Sequence, residues 1–136
     1  MKSVVVFIED VSLTDGFAQT LTSFLEEKDV LSVMYRLPRV KTEAMPLIGD
    51  LRELRLKKAK RQLTEWFERN NIPVQKFNPF VFDERITPEN IRISLNGDQR
   101  FLVLYEKGQL NQLKSILNGV LSGRDVDYHE LSNSEL

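Results

Sequence analysis

The chain has 136 residues with 19 basic and 20 acidic side chains, so its net charge of −1 favours neither nucleic acid nor anionic membrane. Hydrophobic residues at 41% and charged residues at 29% argue against disorder and for one globular domain over 1–136. Cysteine is absent, which excludes disulfides, thiolate catalysis and zinc–thiolate sites. No stretch reaches the ~18–20 apolar residues a membrane span needs, so no membrane insertion is expected. The five strongly apolar residues ahead of Glu9 are too few for a signal peptide. A cytoplasmic protein is expected.

The run Val4-Val5-Val6-Phe7-Ile8 predicts a first strand, near Ser3 to Ile8, buried on both faces. It hands over at Asp10-Val11-Ser12 to a helix capped by Ser12 or Thr14, with Phe17, Leu21, Phe24 and Leu25 at helical spacing. Glu26-Glu27-Lys28-Asp29 is expected to end that helix in solvent. Val30 to Tyr35 reads as a second strand closed by Pro38. After a loop over 38–46, the longest helix is predicted from about Leu47 to Asn70. Leu56, Ala59, Leu63, Trp66 and Phe67 fall on one side of it and Lys57, Lys58 and Arg61 on the other. Asn70-Asn71 with Pro73 beyond is its stop signal.

A third strand is predicted over Val74 to Phe82. Pro79 lacks an N–H, which places this strand at an edge or a bulge. Residues 87–97 read two ways. Thr87-Pro88-Glu89 opens a helix and Gly97 ends it. Ile91, Ile93 and Leu95 alternate instead as a hairpin strand turning at Asn96-Gly97, antiparallel to Arg100–Tyr105. The crossover a parallel sheet requires favours the helix. Phe101-Leu102-Val103-Leu104-Tyr105 is a second doubly buried strand. Leu110, Leu113, Ile116, Leu117, Val120 and Leu121 then form an amphipathic stripe ended by Gly123, and Val126 to Leu131 alternates as an edge strand. Leu21, Leu63, Trp66, Val103 and Leu117 are the expected core.

Two doubly buried strands imply a parallel sheet covered by helices, whose ligands bind beyond the carboxyl ends of its strands. Glu9 to Ser12 and Glu106 to Gln109 are therefore the expected functional positions. No catalytic constellation appears there, so no enzyme is expected. A phosphoacceptor site needs paired acids with a lysine near the phosphoryl group, and Glu9-Asp10 with Lys107 suggests one. Yet the only acceptor candidate after a third strand, Asp83, stands 24 residues before Lys107, too near for a receiver domain. His129 is the single histidine, which excludes a multi-histidine metal centre, and it is expected to be exposed beside Tyr128. No metal site is expected. Arg52, Arg55, Lys57, Lys58, Lys60 and Arg61 put six cations in ten residues. Lys57, Lys58 and Arg61 are candidates for a surface meeting an anionic partner, against the plainer reading of a solvated face. No aromatic residue is interleaved there for base stacking, which disfavours nucleic acid.

Five strand–helix steps in this order, with a long second helix and a final edge strand, resemble the universal stress protein-like fold over nearly the whole chain. The resemblance implies an α/β fold: a mainly parallel five-stranded sheet, order 3-2-1-4-5, with helices on both faces. Similar domains form the cytoplasmic tails of cation–chloride cotransporters and other transporters, usually without ATP chemistry. In this family the first strand ends in an aspartate at the adenine side of the ligand, and Asp10 sits there. ATP-binding members carry Gly-x-x-Gly, nine residues, then Gly-Ser or Gly-Thr, after the fourth strand. Here Gly108 begins the motif, Asn111 and Leu121 replace the next two glycines, and Ser122 keeps the hydroxyl. Those glycines let backbone N–H groups approach phosphate oxygens with no Cβ between them.

The resulting expectation is a non-catalytic regulatory or scaffolding domain without a cofactor, a homodimer through its C-terminal edge strand, with a transporter or another protein as possible partner. The alternative is a sensor of an adenine nucleotide, using Asp10, Ser12, Gly108 and Ser122 with an altered phosphate cradle.

Overall fold

A computed structural model describes residues 2–9, 13–37, 49–83, 100–106, 110–120 and 123–131. They form β1 (Ser3–Glu9), α1 (Asp15–Thr22), β2 (Val30–Arg36), α2 (Gly49–Arg69), β3 (Lys76–Phe82), β4 (Arg100–Glu106), α3 (Leu110–Val120) and β5 (Asp125–Leu131). The strands make one sheet in the order β3-β2-β1-β4-β5, every neighbouring pair parallel. This is the expected architecture and strand order.

Side chains on β1 alternate between the two faces, and each face meets its own helices. Val4, Val6 and Ile8 pack with Phe17 and Leu21 of α1 and Leu63 and Trp66 of α2. Val5 and Phe7 pack with Leu117 of α3. The handedness of parallel crossovers requires this split. Steps from β1 to β2 and β3 run one way across the sheet, and the step from β4 to β5 runs the other, so their helices fall on opposite faces. All five expected core residues, Leu21, Leu63, Trp66, Val103 and Leu117, are buried. Alanine at Leu117 is expected to cost about 2–5 kcal/mol in urea denaturation, the range for buried leucines. A loss under about half a kcal/mol would mean α3 is not held by that contact.

Local chemistry sets the boundaries. Thr14 caps α1, its hydroxyl accepting from Phe17 N at 3.1 Å. Trp66 Nε1 donates to the Thr14 carbonyl at 2.8 Å, tying α2 to that cap. Asn71 closes α2 in the left-handed region at φ 49°, which asparagine tolerates better than most residues. Gly123 takes φ 78° between α3 and β5. Pro79 lies in β3, an edge strand, as its missing N–H demands. Both edges of β4 are occupied, by β1 and β5. The choice between helix and hairpin over 87–97 lies outside the described residues.

Two expectations fail. Asp29 is not in solvent: α1 ends at Thr22, and the turn that follows folds the Asp29 side chain inward to 1% exposure. His129 is not exposed on the edge strand. It is half-buried, its ring 4.8 Å from Phe24, on the sheet face that carries Leu131 into the core.

Candidate functional site

The site begins where the chain reverses its direction across the sheet. From β1 it steps toward β2, and from β4 toward β5, so the connections leaving these neighbours diverge beyond their carboxyl ends. In open parallel sheets that divergence opens the ligand crevice. Register places Phe7 beside Tyr105, and Glu9 beside Arg36. Glu106, at the end of β4, stands beside Leu131. The carboxyl rim therefore carries Arg36, Glu9 and Glu106 on three adjacent strands.

Asp10 follows β1 directly and Gly108 follows β4 by two residues, so both candidates leave the strands that flank the crevice. Asp10, Ser12, Gly108 and Ser122 themselves lie outside the described residues, as do Lys107 and Leu121. Asn111 is in α3.

Asp83 has a defined place. The β2–β3 ladder extends past the strands, Leu37 N donating to the Phe82 carbonyl at 2.8 Å, and Asp83 follows at 8% exposure. It thus sits at an edge strand, two strands from β1. A phosphoacceptor needs a central strand, so this position agrees with rejecting the receiver comparison. Among the described residues, no three histidine, aspartate or glutamate side chains are grouped to hold a metal ion.

Two tyrosines flank the β4–β5 side. Burial raises the pKa of the Tyr105 phenol, and the negative charge of Glu130, its register partner, raises it further. Burial alone raises that of Tyr128, whose ring has the Lys114 ammonium 5.4 Å from its centre. Both phenols are held neutral at physiological pH.

The opposite end of the sheet holds a buried carboxylate with an ion-pair partner, which sequence reasoning missed. Asp29 Oδ2 meets Lys2 Nζ at 2.9 Å and accepts from Glu26 N at 2.8 Å, while Oδ1 accepts from Lys2 N at 3.2 Å. The Asp29 carbonyl accepts from Gln75 N at 2.9 Å. Lys2, Asp29 and Gln75 each precede a strand, and those strands start in register at Ser3, Val30 and Lys76. One residue thus fixes three strand starts. An acid placed directly before an apolar run was the sequence signal. At the amino end, away from the crevice, its role is architectural.

Lys57, Lys58 and Arg61 are exposed on α2, as expected.

No model of a known family matches the chain, and no curated protein matches it. Among solved structures it is similar to the hypothetical protein PH0823, with 13% identity, a TM-score of 0.57 and 97% of each chain covered. A protein of the universal stress protein family from Burkholderia pseudomallei aligns with a TM-score of 0.48 and 10% identity, over 93% of this chain and 94% of that one. At such identities the first likeness speaks for the fold alone. Among the described residues, no helix is long and apolar enough to cross a membrane.

Proposed function

We propose that the chain is a non-catalytic regulatory or scaffolding domain of universal stress protein type that works by self-association, with β5 as the contacting edge. The observation that carries this reading is β5 itself. It pairs with β4 on one side, and no strand lies beyond it among the described residues. An outermost strand of seven residues is the side of a sheet where a second chain can be added. The non-catalytic part rests on residue identity. Asn111 and Leu121 stand where close-approach glycines would open a phosphate cradle, and each adds a Cβ there. The cytoplasmic tail of a transporter is one setting that suits such a domain.

Light scattering over a concentration series, paired with thermal melts in millimolar ATP and magnesium, tests both parts. A concentration-dependent dimer with an unchanged melting temperature is the expected result. A ligand that binds only the native state must raise that temperature. A rise of several degrees would replace this reading with the nucleotide sensor, and a monomer at every concentration would remove self-association.

A further inference from the structure

The α2 helix is longer than the strand it packs on. At 21 residues this helix is about 31 Å long, against about 23 Å for a seven-residue strand. Among the described residues, those of α2 that are buried, Leu63 and Trp66, lie in its C-terminal half. From Glu53 to Gln62 no side chain is buried, and Leu54, 61% exposed, is the one exposed large hydrophobic among the described residues. Leu54, Lys57, Lys58 and Arg61 follow the i, i+3, i+4, i+7 spacing and so share one face. Glu65 and Glu68 continue that face further along, which ends its positive charge at Arg61. Among the described residues, Lys57, Lys58 and Arg61 form no ion pair.

Complementary charge lies at the far edge of the molecule. β5 exposes Asp125, Asp127 and Glu130. Asp125 has a loose, exposed pairing with Arg100 at 3.9 Å, and Asp127 has no ion-pair partner among the described residues. The α2 helix packs on β3 through the Phe67–Phe77 stack. β3 and β5 are opposite edges, four strand spacings or about 19 Å apart. The two charge clusters belong to different sides of one chain and are free to meet between chains.

We propose that the basic face of α2 formed by Lys57, Lys58 and Arg61 docks on the acidic β5 edge of a second copy. The proposal rests on the reading of β5 as the self-association edge, and it names what covers that edge. Two β5 strands laid side by side would gather Asp125, Asp127 and Glu130 of both copies along one seam, a concentration of like charge that opposes strand pairing. A cationic helix meets the same edge favourably. The charge rows also match in length: Lys57 to Arg61 rises about 6 Å along a helix, and Asp125 to Asp127 about 6.6 Å along a strand. The same contact takes Leu54 out of water.

A charge swap tests this. One variant carries Lys57→Glu, Lys58→Glu and Arg61→Glu, the other Asp125→Lys and Asp127→Lys. All five positions are exposed, so both variants should fold by circular dichroism. If the β5 pair disturbs folding, Asp127→Lys alone serves. The wild-type dimer is expected to weaken about tenfold or more as salt rises from about 50 to 500 mM, since screening shortens the reach of charge. Each variant alone should be monomeric. Mixed in equal amounts they should associate again, each acidic helix meeting a lysine-bearing edge and each basic helix an acidic one. If the α2 variant dimerises like wild type while the β5 variant does not, self-association through β5 stands and docking by α2 is wrong. A wild-type monomer at every concentration would remove both. Loss of RNA or anionic-vesicle binding in the α2 variant, without rescue by mixing, would assign this face to that partner and overturn the proposal.

Discussion

Alanine at Trp66 will lower the unfolding free energy by about 3–5 kcal/mol, the range for a large aromatic removed from a core. Three contacts set that size. The side chain is 1% exposed among Val4, Val6 and Leu63. Its ring stacks on Phe17, centroids 5.6 Å apart and planes 22° from parallel. Its Nε1–H donates to the carbonyl of Thr14, the cap of α1. That carbonyl also accepts from Ala18 N at 3.2 Å, so truncation leaves it with a partner. The loss is therefore mainly cavity and stacking. Trp66→Phe separates the parts, keeping most of the ring and surrendering the donor, for about 1 kcal/mol from the hydrogen bond plus a smaller cavity cost. Urea midpoints for the two variants measure the difference. An alanine loss below about 1 kcal/mol would show that α2 is not anchored to α1 through this ring.

The features legible in the sequence were those with local causes. Val4 to Ile8 and Phe101 to Tyr105 are apolar at successive positions because helices cover both faces, and that covering is visible in the run itself. Pro79 marked an edge because a missing donor is a property of one residue. Asn71 marked the end of α2 for a similar reason, its left-handed backbone. What escaped was non-local. Thr14 and Trp66 are 52 residues apart, and Lys2 and Asp29 are 27 apart. Nothing between them signals that they meet. Phe24 likewise gave no hint that it would cover His129 from another element. The crevice between β1 and β4 followed from strand type and order. Its candidate contacts belong to the connections after those strands, where spacing alone does not place a side chain.

Asparagine at Asp29 will cost about 3 kcal/mol at neutral pH, and the cost will shrink as the solution is acidified. The magnitude is that of breaking a buried ion pair by removing one charge. Burial raises the pKa of this carboxyl, but the Lys2 ammonium and the backbone N–H groups of Glu26 and Lys2 outweigh it and together hold the group below the ordinary carboxylate value. The unfolded chain ionises the same group near the ordinary value of about 3.9. A depressed folded pKa means that the unfolded state takes up the proton first. The stabilisation is therefore complete above about pH 5 and drains away as pH falls through the folded value. Asparagine has no such titration. Its oxygen still accepts from a backbone N–H, so part of the strand-start geometry survives while the Lys2 pairing is lost. Urea denaturation of both proteins at about pH 7, 5 and 3 should show curves that converge toward acid. A gap that stayed constant with pH would place the stabilisation in shape rather than charge. A gap under about half a kcal/mol at pH 7 would mean the three strand starts are held without it.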